Sequence, residues 1–204
     1  MARRSIRASH IIAFQGGEHR YLRDVRETLV WKLEGLSEYD VRRPLTPTGT
    51  NLLGLVKHLS IAEAWYFGTT FDRPYPEHLP WWDDDADPQA DSWATQDESR
   101  AAIVTRYRKV AAHSDVTIES LSLDAPGHVP WWSRPDVTLH AILVHLLAET
   151  NRHAGHADIL REQLDGSAGM MAGSPNLPEH DAQWWQDYRA RVEQAAKAAA
   201  ERAD

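Results

Sequence analysis

Apolar residues at Leu22, Val25, Leu29, Leu33 and Leu36 recur every three or four positions, the spacing that lines one face of an amphipathic helix. A first helix is therefore predicted over residues 18–36, ending near Ser37. The segment LTPTGT then supplies turn residues, and Thr50 or Asn51 can cap a second helix over about residues 51–69. The stretch RPYPEHLPWWDDDADPQADSW has no helical period and reads as a long acidic loop. Thr95 followed by Glu98 matches a capping box, and Ile103, Tyr107, Val110, Ile118 and Leu121 extend a third helix over about 96–123.

LDAPGHVPWWSRP interrupts the pattern. Asp136 is the expected cap of a fourth helix carrying Leu139, Ile142, Leu146 and Leu160, stopped by Asp165 and Gly166. A loop, GSAGMMAGSPNLP, leads to a last, Ala-rich helix in DAQWWQDYRARVEQAAKAAAERAD. No strand-like alternation and no internal repeat is visible. The expected fold is all-α: an up-down four-helix bundle, its core over about 18–165, with an additional C-terminal helix in 166–204.

Composition narrows the function. At 204 residues, 42% hydrophobic and 25% charged, the chain is long enough for one good core, and a single domain spanning 1–204 is expected. A net charge of -8 argues against nucleic acid, whose binding relies on clustered Lys and Arg. The apolar run IIAF after MARRSIRASH is too short for a signal-peptide core or a membrane span, which makes the cytoplasm the expected location. Without cysteine, any metal must be held by nitrogen and oxygen. Nine Trp, several paired as Trp81-Trp82, Trp131-Trp132 and Trp184-Trp185, exceed ordinary usage.

The fourth helix holds the candidate chemistry. With His145 at zero and a residue every 100°, Glu149 falls at about 40°, His153 at about 80° and His156 at about 20°, all on one face. Rise along the axis separates His145 from His153 by about 12 Å, so the pairs able to share an ion are His145/Glu149, Glu149/His153 and His153/His156. On the second helix His58 shares a face with Leu55, Ala62 and Tyr66, and is the candidate third ligand. Such a site keeps a coordination position open, as catalytic zinc does. Mixed nitrogen and oxygen donors suit zinc, nickel, iron and manganese without choosing between them; zinc is the ion expected. The competing reading makes these histidines hydrogen-bonded core residues, since His113, His128, His140 and His180 are scattered elsewhere. Glu63 reads as helix surface, Arg152 and Arg161 as partners of carboxylates at helical spacing, and the Trp pairs as packing.

GLVKHLSIAEAWYFG after a Pro-Gly turn, followed about ninety residues later by ETNRHAGHADILREQLDG, resembles the DinB-like superfamily of metal-binding helix bundles. The branch it resembles groups mycothiol-dependent maleylpyruvate isomerase with mycothiol S-transferases. The resemblance covers about residues 18–165 and implies a three-residue metal site of His58, Glu149 and His153, because His153-Ala154-Gly155 matches the family's helix-four motif. Many bacillary relatives have histidine at the position of Glu149, whereas the isomerase branch has glutamate. His156, with His145 and Arg152, would then lie around the ligands. The isomerase carries a further C-terminal domain for which this chain leaves no room.

The implied activity is transfer of a low-molecular-weight thiol, mycothiol, to an electrophilic small molecule. A thiol bound to a dication loses its proton, so a protein without cysteine can still run thiolate chemistry. Trp65, Trp81, Trp82, Trp131 and Trp132 are the candidate walls of a thiol or substrate pocket. Asp83, Asp84 and Asp85 either accept hydrogen bonds from sugar hydroxyls or form a solvated acidic run. One alternative is a metal-dependent hydrolase, with a carboxylate or His156 as general base. Another is a non-catalytic metal- or small-molecule-binding stress protein, acting as a homodimer.

Overall fold

The computed structural model describes residues 2–83 and 85–202, with side chains from residue 17 onward; Asp84 lies outside the described residues. The first helix, α1, spans Ala2–Trp31 and so starts well before the predicted position. Its end also differs. Beyond Trp31 the Leu33 and Glu34 amides bond three residues back, to Val30 and Trp31, and Gly35 takes the left-handed φ of 74° that closes the turn. Leu33 remains buried, so the apolar repeat marks the core correctly past the point where the helix stops.

A short α2, Glu38–Arg42, capped by Ser37, adds Val41 to the core. Five residues are too few for a period to show in the sequence. Helix α3 covers Leu52–Glu63, and Asn51 rather than Thr50 is its cap, accepting from the Gly54 amide at 2.7 Å. The coil continues past Glu63 as a wide π turn, Ala64–Gly68, and a tight 3-10 turn, Thr69–Phe71.

Helix α4 is Arg100–Ser120, four residues later than predicted at its start. Half of the predicted capping box exists, since the Thr95 amide donates to Glu98 Oε2 at 2.9 Å. It closes a turn before the helix, and Ser99 is the cap, its Oγ accepting from the Ala102 amide. A β-hairpin then appears where no strand was expected: β1, Pro126–His128, pairs antiparallel with β2, Asp136–Thr138. Three-residue strands are too short to show alternation. Asp136 therefore faces His128 across the hairpin, and Thr138 takes over as cap of α5, Leu139–Asp165. Gly166, at φ 78°, ends α5 as predicted. Helix α6, Ala182–Ala200, buries none of its residues.

The bundle consists of α1, α3, α4 and α5. Helix α3 packs on both α4 and α5, and α1 packs on α5. Leu22, Val25 and Leu29 of α1, Leu52, Leu53, Val56 and Leu59 of α3, Ile103 and Ile118 of α4, and Ile142, Leu143 and Leu146 of α5 make one core. Glu63, expected at the surface, is fully buried. It accepts two hydrogen bonds of 2.7 Å from Arg26, which also donates to Asp115 at 2.6 Å. Arg161 pairs with Asp165 one turn on and also donates to the Lys32 and Glu34 carbonyls, closing the end of α1. Among the described residues no helix is long and apolar enough to cross a membrane.

Candidate metal centre

Helices α3 and α5 run antiparallel, and ring contacts show their alignment. His58 lies edge-on to His153 with centroids 5.1 Å apart, and eight residues on, in the π turn that continues α3, Tyr66 meets His145 at 4.8 Å. This alignment brings His58 of α3 to the turn of α5 that carries Glu149 and His153. One donor atom from each of the three lies within 4.8 Å of the others. His153 Nε2 and Glu149 Oε1 are 3.0 Å apart, as the helical i, i+4 spacing allows.

The electrostatics suit ligation. Burial lowers the proton affinity of His153, the nearby His58 adds to this, and the opposing pull of Glu149 does not overcome them; a neutral imidazole is the form that binds a metal. His153 Nδ1 is buried with no hydrogen-bond partner. On the other helix, His58 Nδ1 lies 2.6 Å from Asp91 Oδ2. That hydrogen bond, more than any other influence, holds the Asp91 carboxyl below its ordinary range. With Nδ1 engaged, Nε2 of His58 is the nitrogen left to bind an ion. Two imidazoles and a carboxylate, one ring nitrogen buried without a partner, fit a divalent transition metal.

Above these groups lies a cleft of about 460 Å³, lined by His58, His153 and His156 together with Thr48, Gln89, Ser92 and Trp93. His156 is exposed, its ring centroid 5.5 Å from that of His153. His145 is not among the clustered donors. It packs edge-on against Tyr66 and Trp132, and burial lowers its proton affinity. Arg152 is exposed on α5 and does not line the cleft.

The tryptophans named from the sequence sit elsewhere. Trp65 packs against Trp82 and Trp131, with centroids 5.6 and 4.9 Å away. Trp132 donates its indole N–H to the Tyr66 hydroxyl at 3.2 Å. Trp81 lies under the Lys57 ammonium, 4.3 Å from its centroid, and also faces Arg106. None of the five lines the cleft beside His58; Trp93 does. Asp91 and Trp93 went unnoticed in the sequence because both fall in the acidic loop, where no helical period marks which side chains turn inward.

A helical bundle with a two-histidine, one-glutamate donor group across α3 and α5, able to hold a metal ion, is a bundle of the DinB-like kind. More narrowly, the family model described as mycothiol-S-transferase matches residues 19–166, and the chain belongs to that family. No curated protein matches the chain.

Proposed function

We propose that this protein is a metal-dependent mycothiol S-transferase, with zinc as the ion and the cytoplasm as its compartment. The observation that carries the reading is the convergence of His58, Glu149 and His153, two of which, His58 and His153, also line a cleft. A dication held there would supply Lewis acidity, so that a bound thiol ionises at neutral pH.

The chain's own residues account for the remaining requirements. Thr48, Thr50, Gln89 and Ser92 line the cleft with hydroxyl and amide groups, suited to the hydroxyl-rich body of a sugar-like thiol. Trp93 adds an indole to the same wall. His156, at the cleft edge next to His153, is placed to take the proton released as the S–H bond breaks. The sulfur electron pair then forms the new S–C bond at the electrophilic carbon of the second substrate as that carbon's bond to its leaving group breaks. The leaving group departs with the bonding pair, as chloride does from a chloroalkyl electrophile.

The test is turnover of monochlorobimane by zinc-loaded protein. Conjugation with mycothiol, none without thiol, and loss of both bound zinc and activity in His58→Ala and His153→Ala are expected. Ester hydrolysis without thiol would replace this reading with the hydrolase. A wild type that takes up no metal would return the histidines to the role of core residues.

A further inference from the structure

We propose that Asp91 is the positioning residue of the metal centre, and that through His58 it couples metal binding to the docking of the cleft wall at residues 89–93. The inference rests on the metal-centre reading above. Asp91 is 33 residues from His58 in sequence, yet it is mostly buried, and its two oxygens are both engaged. Oδ2 faces His58 Nδ1 at 2.6 Å, and Oδ1 accepts from the Ser92 hydroxyl at 3.1 Å. A carboxylate can only accept, so the imidazole proton resides on Nδ1 and the Nε2 lone pair points away from Asp91.

What brings Asp91 there is a seat on the first turns of α3. The Ser92 carbonyl rests on Gly54 so closely that a Cβ at that position would come within 1.9 Å of the oxygen. The Asn51 amide donates to the same carbonyl at 3.2 Å, and the Lys57 ammonium donates to the Trp93 carbonyl at 2.8 Å. Gly54 thus serves neither a turn nor a positive φ. Its missing side chain is the space in which the loop lies. The same loop contributes Gln89, Ser92 and Trp93 to the cleft. An ion that favours the His58 orientation set by Asp91 must, by linkage, favour the docked loop to the same extent.

The experiment is zinc affinity of the full chain, measured by competition with a chromophoric chelator. Loss of a carboxylate that orients a ligating histidine typically weakens metal binding about 10- to 100-fold, and Asp91→Ala is expected in that range. Asp91→Asn, whose amide oxygen still accepts from Nδ1, should recover part of the loss. Gly54→Ala, which touches no ligand but displaces the loop, should weaken zinc comparably, and the double variant with Asp91→Ala should be little worse than either single one. Zinc should also slow amide exchange at Ser92 and Trp93 in the wild type and not in Asp91→Ala. Asp91→Ala and Gly54→Ala that stay folded and bind zinc within about twofold of wild type would overturn the proposal while leaving the metal centre standing. A wild type that binds no zinc overturns both.

Discussion

Glu149 and His153 meet at 3.0 Å one helical turn apart on α5, and His58 approaches the same point from α3. The pair is local and the third donor is not, so the two helices contribute differently to binding. Glu149→His places a nitrogen donor where the carboxylate oxygen was and is expected to retain about one equivalent of zinc. Glu149→Ala leaves two donors and should lose it. Elemental analysis of the two variants after equal zinc loading decides the matter, and equal metal content in both would remove Glu149 from the ligand set.

Arg26 and Glu63 form a buried, two-pronged ion pair between α1 and α3. Taking both groups from water is costly, but leaving one of them buried alone costs more. Glu63→Ala should destabilise the fold by about 3 kcal/mol or more, measured by urea unfolding. Replacing both residues with apolar ones of similar size should cost much less. A loss below about 1 kcal/mol for Glu63→Ala would mean that Asp115 alone satisfies the guanidinium.

Asp115 sets part of the acid sensitivity. Burial alone would raise its pKa, but the hydrogen bond with His19 and the charge of Arg26 together bring it down to about 2. A folded-state pKa below the unfolded value gives stability that is complete above about pH 4 and is lost as pH falls towards 2. By linkage the loss at pH 3 is about 1 kcal/mol for this group. Urea melts between pH 6 and pH 3 should therefore fall more steeply for wild type than for Asp115→Asn. Parallel curves would show that the group titrates normally.

The N-terminus of α5 offers a direct comparison. Thr138 accepts from the Ala141 amide, whereas Asp136 sits in the exposed hairpin opposite His128. Thr138→Ala should cost about 1 kcal/mol as a lost cap. Asp136→Ala should stay within about 0.5 kcal/mol of wild type. Thermal melts showing the opposite order would place the cap at the residue first suggested by the sequence.

Periodic signals were legible in the sequence alone. The three- and four-residue spacing along α1, α3, α4 and α5 gave the bundle, Gly166 gave the end of α5, and the shared face of α5 gave Glu149, His153 and His156. Each of these depends on neighbours within one or two helical turns, so the chain's own geometry determines it. His58 was already a candidate from its apolar helix face, but its partnership with α5 needed the packing of the two helices.

Only the tertiary structure decided the rest. Which nitrogen of His58 is available depends on Asp91, delivered by a loop with no period of its own. Glu63 lies at a position of α3 that the bundle's packing buries, and Arg26, reaching over from α1, is the reason a carboxylate can remain there. The tryptophans were visible as an excess, yet their positions follow from where the π turn and the hairpin direct them, which set Trp65 among Trp82 and Trp131 and left Trp93 to line the cleft. Helical periodicity specifies which way a side chain faces on its own helix; what it meets there is set by the long-range packing that folding alone supplies.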